Sequence, residues 1–410
     1  MSILKKQHPE AVVIGAGREA IHSIKKAREM GLEVLAFDGD SHAEGLKYAD
    51  YPFVVDIQER EKIGAILDKW NPGVVLPVPV GRYLTTAGFV NDRYSLPGVT
   101  EKAASACTDK WEFHKMLAAK SLRKASALLL KTGASGISDK WEDTAYPCIL
   151  KPRFGSGSRA VSVYRNKEEL ENGIRALCPL KEDFILETCV EGMEYGVDGA
   201  MIDGRFCLIL LREKINTPYP YRQCVGYLSV IENAGTYDFI CAVKKYLSDI
   251  VTVLSVNNCL LHADIIKNRE GEPFIIELSA RPSGHNLYNR FTPLATGVDE
   301  VEEFIRYALP MPGRMYHFEP DRIKQMIIRY FDFSDVRIKR IPDPVQMFKQ
   351  YPLHDYSCSL FPGNRLGSVM DGASLMHRGY FIMEAGDRET LLGLSEELLN
   401  EFEWEKIDGT

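Results

Sequence analysis

The sequence predicts a mixed α/β and α+β protein, and three stretches carry that expectation. Residues 11–14 (A-V-V-I) are a continuous apolar run, as in a buried parallel strand. Gly15-Ala16-Gly17, a helical pattern from Arg18 to Met30 and a second strand from Leu32 to Phe37 follow, which makes a βαβ opening. The stretch Leu260 to Arg281 alternates with period two on both sides of a polar centre, Asn268 to Pro273, and reads as a hairpin. Later strands and an amphipathic helix, Arg388–Phe402, close the chain, with Leu391, Leu392, Leu394, Leu398 and Leu399 on one side.

The 410 residues suffice for two or three structural units with a substantial core. Hydrophobic and charged shares of 45% and 26% are those of an ordinary globular chain. A net charge of −7 gives no support to a nucleic-acid or anionic-membrane partner. The nine cysteines form no C-x-x-C pair, which points to reduced thiols and a cytoplasmic location over a disulfide scaffold or zinc site. No apolar run is long enough to span a membrane. A homodimer is left open as the assembly.

In chain order, Pro52–Val55, a helix Glu59–Trp70 and a strand Val74–Pro77 extend the opening βαβ unit, so residues 1–105 form one Rossmann-like unit. G-x-G-x-x-A with Asp38 about 20 residues on fits a dinucleotide fingerprint, and an NAD-dependent oxidoreductase is therefore one reading; a plain strand-to-helix turn is the other. Asp109-Lys110 opens a helix to about Ala119, with Asp109 as its cap. Residues 120–145 show little pattern. Lys151 ends a strand, and Gly155-Ser156-Gly157-Ser158 follows between Arg153 and Arg159. Small residues there let backbone N–H groups approach phosphate oxygens, and the lysine adds a point charge. The lysine precedes the glycines, so this is not a Walker A loop. Strands 195–202 and 205–211 turn at Asp203-Gly204, and residues 212–235, with Arg212, Lys214 and Arg222, read as an irregular loop beside a ligand. A helix from about Tyr237 to Leu254 leads into the hairpin. R-P-S-G-H-N, Arg281 to Asn286, then forms a loop at a strand's carboxyl end.

The hairpin holds the chemistry. Folded about Gly271, it sets Asp264 opposite Glu277 and His262 opposite Ser279, with Arg281 on the same face. Leu261, Ala263, Ile265, Ile276, Leu278 and Ala280 take the other face. Cβ atoms directly opposed across strands lie only ~4.5–5.5 Å apart, so two carboxylates there repel. Either one is protonated or a cation lies between them, and Mg²⁺ or Mn²⁺ suits a set of oxygen donors. A solvated surface hairpin is the plain alternative.

Together, a lysine before a helix, a lysine before a glycine loop, a glutamate closing a strand and H-A-D…I-I-E-L-S-A-R-P-S-G resemble the ATP-grasp superfamily of carboxylate ligases, in its amino-acid ligase, carbamoyl-phosphate-synthase-like and biotin-carboxylase-like branch. The resemblance implies an ATP-grasp fold: a Rossmann-like unit (1–105), a nucleotide-binding region (106–310) with a mobile lid at about 120–190, and a closing segment (311–410). It implies that Lys110, Lys151 and the 155–158 loop contact ATP phosphates. Glu187 and the backbone through Val190 would bind adenine, and Glu194 the ribose, with Glu191 as its alternative. Asp264 and Glu277 would hold Mg²⁺ or Mn²⁺. Ser279 stands where many members carry a metal-ligating Asn, and its shorter side chain leaves room for an intervening water. Arg281 would stabilise an acyl-phosphate. Arg212, Lys214, Arg222 and His285 would line the pockets for a small carboxylate, an amino acid among the candidates, and an amine or thiol nucleophile. A bicarbonate-activating carboxylase or carbamoyl-phosphate-type enzyme is the alternative within the superfamily. Members normally bind no NAD on the first unit.

Overall fold

The computed structural model describes residues 10–131, 141, 144–155, 160–177, 182–218, 223–369 and 372–407. The opening strands β1 (Glu10–Ile14), β2 (Val34–Asp38), β3 (Tyr51–Val54) and β4 (Pro72–Val75) form a parallel sheet in the order β3-β2-β1-β4. The predicted helix from Arg18 is shorter than expected: a 3₁₀ turn, Arg18–Ala20, precedes the α-helix Ile21–Glu29. The unit shares one core with the rest of the chain, since Val12, Ile14 and Leu35 pack in the same cluster as Val197, Leu261 and Ile275.

The dinucleotide reading finds its acidic residue already engaged. The Asp38 carboxylate accepts the Ala16 amide at 2.7 Å and the Asp40 amide at 2.9 Å. Gly45 N–H donates to the Ala16 carbonyl at 2.8 Å. A Cβ at Gly45 would lie 2.6 Å from that oxygen, so the short helix Glu44–Tyr48 packs directly on the glycine turn.

Charge ties this unit to the body. Asp299 caps the helix Glu300–Ala308 by accepting the Val301 and Glu302 amides. Its carboxylate also meets Lys26 at 3.2 Å and His22 at 3.3 Å. Burial works to raise this carboxyl, but the His22 hydrogen bond and the His22 and Lys26 charges lower it from 3.8 to about 2. A carboxyl depressed on folding contributes stability that is complete above its unfolded pKa and is lost as pH falls through the folded one. The urea midpoint is therefore expected to fall between pH about 4 and 2. Asp299→Asn, which keeps a capping oxygen, should remove that part of the acid dependence. An unchanged pH profile in the variant would refute the link.

A second four-stranded sheet, over the segment expected to be a lid, comprises β5 (Ala127–Leu130), β6 (Cys148–Pro152), β7 (Ser162–Tyr164) and β8 (Phe184–Thr188), in the order β5-β8-β6-β7. β5 lies in the stretch that shows little pattern in sequence. Leu130, Cys148, Leu150, Leu170, Phe184 and Leu186 give the lid a core of its own. Arg153 latches it to the helix Lys110–Ala118 through both oxygens of Asp109, at 2.9 and 2.7 Å.

The body is built on β9 (Met193–Ile202), β10 (Arg205–Asn216), β11 (Cys224–Ser229), β12 (Cys259–Lys267) and β13 (Pro273–Ser279). The last hundred residues add β14 (Met326–Tyr330), β15 (Val336–Arg340), β16 (Leu353–Cys358), β17 (Arg365–Leu366), β18 (Gly379–Glu384) and β19 (Glu403–Lys406). β14, β18 and β16 complete an eight-stranded sheet in the order β13-β12-β9-β10-β11-β14-β18-β16, while β17, β15 and β19 form a small separate sheet. The expected irregular loop over 212–235 is corrected here: β10 continues to Asn216, and β11 pairs with it. No helix among the described residues is long and apolar enough to cross a membrane.

Candidate functional site

The hairpin has the register that its alternation requires. His262 pairs with Ser279, Ala263 with Leu278 and Asp264 with Glu277. One inward residue differs from expectation. Ladder pairing skips from Glu277 to Ile275, so Ile276 is the extra residue of a bulge. Ile275 is the fully buried neighbour of Ile265, whereas Ile276 lines a cleft.

That cleft brings together Lys110, Gly155, Glu277, Ser279 and Arg281, with Arg82 from the first unit. Lys110 Nζ donates to the Gly155 carbonyl at 2.6 Å, across to the lid. Burial is the largest influence on Lys110 and lowers its pKa; Glu277 opposes it and Lys151 reinforces it. Arg281 is likewise lowered by burial, against the pull of Glu277, Glu19 and Asp264, and its Nη1 donates to its neighbour's carbonyl, Pro282 O, at 2.7 Å.

Lys151 and Glu187 lie behind the cleft in a buried charge cluster. Glu187 receives Lys151 at 2.6 Å, Arg123 at 2.8 Å and His114 Nε2 at 2.8 Å. Arg123 Nε donates to His114 Nδ1 at 2.9 Å, so the ring proton belongs on Nε2, facing Glu187. Burial alone would raise the Glu187 carboxyl; Lys151, the His114 hydrogen bond and Arg123 overcome it and hold it well below the carboxylate range. The side chain that the resemblance assigned to adenine is thus enclosed among protein cations. Val190 lines a different groove, with Thr188, Cys189, Phe274 and Tyr246. Glu194 is half-buried on β9 opposite Ile266, and its charge reaches Lys214.

Arg212 and Lys214 are strand residues with buried partners, not residues of an open loop. Arg212 is 1% exposed and donates to Asp198 at 2.6 Å. Thr292 donates to the other Asp198 oxygen at 2.7 Å. Glu300 is fully buried nearby, and neither carboxylate oxygen has a hydrogen-bond partner among the described residues. Burial and then Asp198 push its carboxyl far up. Lys214 Nζ lies 2.7 Å from Asp264. Burial opposes the Asp264 charge, but Lys214 outweighs it and leaves the carboxyl below its ordinary value. The cation that relieves the opposed carboxylates therefore includes one the chain supplies.

His285 stands where three segments meet. It and Asn286 both adopt left-handed backbone, with φ of 61° and 59°. Its N–H donates to Glu19, Tyr330 OH donates to its carbonyl, and a Cβ at Gly372 would lie 2.5 Å from its ring. Such strain persists only where surroundings over-determine it. Ser156, Gly157, Ser158 and Arg222 fall outside the described residues. His114, Arg123, Asp198 and Glu19 are site neighbours that the sequence does not flag, because no local pattern sets them apart from the polar residues around them.

The donor chemistry fits a hard divalent cation. Asp264 and Glu277 offer carboxylate oxygens side by side on one face, and Ser279 a hydroxyl. Among the described residues no group of three His, Cys, Asp or Glu could hold an ion alone, so its other ligands would be phosphate oxygens and water, as is usual for Mg²⁺. The local charge favours a polyanion. Lys110, Lys151, Arg123, Lys214 and Arg281 face Glu187, Asp264 and Glu277, with Glu194 also acting on Lys214, so cations outnumber carboxylates there.

Residues 144–289 match the family model for the ATP-grasp domain. Over 170 residues the chain is 25% identical to formate-dependent phosphoribosylglycinamide formyltransferase of Bacillus subtilis, which covers 40% of this chain and 43% of that protein. It is 27% identical to D-alanine–D-alanine ligase B of Clostridium perfringens over 187 residues, 44% of this chain and 59% of that one. These matches thus span about half the length of the two relatives. Among solved structures, L-amino acid ligase from Bacillus licheniformis is similar with a TM-score of 0.80 at 16% identity, over 98% of this chain and 100% of that one. Biotin carboxylase from Campylobacter jejuni is similar at 0.67 and 14%, over 98% and 92%. The central segment is an ATP-grasp domain, and the chain as a whole has the ATP-grasp fold.

Proposed function

We propose that the protein is an ATP-dependent ligase that activates a small carboxylate as an acyl-phosphate and passes the acyl group to an amine or thiol, releasing ADP and phosphate. The observation that carries this is the pairing of Asp264 with Glu277 across the hairpin, with Glu277 lining a cleft that Lys110 and Arg281 also line. A divalent ion bound there would neutralise phosphate charge and orient the γ-phosphoryl group. Lys110, which lines the cleft, would bind phosphate oxygens, and Lys151, held on Glu187 behind it, would add positive charge. Arg281 follows Glu277 by four residues along the same face and presents a planar fork that suits two oxygens at once. The work of these groups is positioning and charge neutralisation in a cleft shielded from water. The similarity to a D-alanine–D-alanine ligase and to an L-amino acid ligase favours an amino acid as the carboxylate. Hydride transfer would need none of the opposed carboxylates, and Asp38 is held by its own loop.

ATP with Mg²⁺ is expected to raise the melting temperature and NAD⁺ to leave it unchanged, because only a ligand of the folded state stabilises it. Phosphate release over pools of carboxylates and amines should require both. Arg281→Lys keeps the charge and loses the fork. It should lower kcat by about 10²–10³, the scale of one lost oxyanion donor, with ATP affinity nearly unchanged. Stabilisation by NAD⁺ alone would overturn the proposal, and normal turnover by Arg281→Lys would remove Arg281 from it.

A further inference from the structure

Glu19 lies in the 3₁₀ turn Arg18–Ala20, just past the glycine turn of the first unit. Its contacts are with the loop that follows Arg281. One carboxylate oxygen accepts the His285 N–H. A Cβ on Gly284 would lie 3.1 Å from both carboxylate oxygens, so the bare glycine lets the carboxylate lie against the loop backbone. Gly284 has no left-handed φ, so its own conformation does not call for glycine. The Glu19 carbonyl accepts from the fully buried Tyr288, whose ring meets His22 edge-on at 5.7 Å. Tyr330 closes the other side by donating to the His285 carbonyl.

The loop so held carries two consecutive left-handed residues, His285 and Asn286, neither of them glycine. A backbone of that cost relaxes when the bonds that enforce it are cut. At the head of the loop, Arg281 Nη1 donates to Pro282 O at 2.7 Å. The loop backbone sets the direction of that carbonyl, and the carbonyl sets where the guanidinium fork points. The support is itself pinned, because Asp38 holds the Ala16 amide and Gly45 N–H donates to the Ala16 carbonyl.

We infer that Glu19 is a positioning residue for Arg281, which makes the glycine turn of the first unit part of the device that aims the guanidinium. The inference rests on the ligase reading above. The route runs from the Glu19 carboxylate to the His285 N–H, along the backbone to Pro282 O, and from there to Arg281 Nη1; Glu19 itself touches no reacting atom. A site whose work is orientation needs its donors held to a fraction of an ångström by such outer contacts. The turn that a dinucleotide reading would assign to a cofactor thus serves the chemistry of the hairpin.

The test measures ATP-dependent phosphate release over pools of carboxylates and amines, and hydrogen exchange over residues 282–288 of the unliganded chain. Glu19→Ala is expected to lower kcat by about 10²-fold, the scale of a misplacement of about 1 Å, with ATP affinity unchanged. Exchange over the loop should be faster. Glu19→Gln keeps an oxygen for the His285 amide and should resemble the wild type in both measurements. Gly284→Ala puts a methyl group where the carboxylate lies and should reproduce the Glu19→Ala defect. It should add nothing in the double variant, where the methyl meets no carboxylate. A lowered melting temperature with normal kcat per folded molecule in Glu19→Ala overturns the inference. So does a Glu19→Gln defect as large as that of alanine, which would give the charge a direct part in binding substrate, and so do additive defects at 19 and 284. These three outcomes leave the ligase reading intact. No ATP-dependent phosphate release by the wild type overturns both.

Discussion

Glu277→Gln is expected to lower Mg²⁺-dependent ATP turnover by a factor on the order of 10³ while leaving the melting temperature near that of the wild type. The loss is the several kcal/mol that a correctly held divalent ion contributes to stabilising charge in the transition state. The fold should survive because Glu277 is half-buried at the cleft wall, and among the described residues no cation closes to ion-pair distance on it. Asp264 offers the instructive contrast. Asp264→Ala should lose turnover too, but it strands the Lys214 ammonium in the interior. Removing one partner of a buried pair costs about 3–5 kcal/mol, so this variant should also unfold at lower urea. Two carboxylates that face each other across one ladder thus separate into one whose removal is felt in catalysis and one whose removal is felt in both. Wild-type turnover by Glu277→Gln would exclude it as a metal ligand.

Glu187→Gln should destabilise the protein by about 3–5 kcal/mol, read as a shift of the urea midpoint, because its carboxylate is the one anion among Lys151, Arg123 and His114. The amide keeps the shape but leaves two buried cations without a counter-charge. A role confined to adenine would give the reverse result: weakened nucleotide affinity with the fold untouched. Destabilisation of the magnitude given, accompanied by loosened lid closure, would assign Glu187 to fixing Lys151 and the lid strand β6. A variant as stable as the wild type would return the residue to the nucleotide.

The hairpin was legible in sequence because its information is local: period-two alternation about Gly271 is enough to fix which residues face each other, and Asp264 does oppose Glu277. The bulge at Ile276 leaves no mark in such a pattern. Arg212 and Lys214 read as residues of an irregular loop beside a ligand until their partners are known, and those partners, Asp198 and Asp264, lie on other strands. Residues 210–216, L-L-R-E-K-I-N, show no period-two alternation, so the strand there leaves no periodic signal. The burial of Glu187 among cations was hidden for the same reason: Arg123 and His114 reach it from a separate helix and turn. Ion pairs between segments distant in sequence carry no periodicity, so composition and spacing are silent about them.

The order of the large sheet bears on how the chain can be made. Cys224–Ser229 is an inner strand only because Met326–Tyr330 pairs with its outer edge, and Met326 follows Ser229 by 97 residues. During synthesis that edge emerges long before its cover. Val225 and Leu228, each 1% exposed in the finished protein, would be open to water and to neighbouring nascent chains meanwhile. A transcript ending soon after the ATP-grasp segment would therefore yield a polypeptide with its hairpin encoded in full but with a sticky, unpaired sheet edge, prone to aggregate before any nucleotide could rescue it.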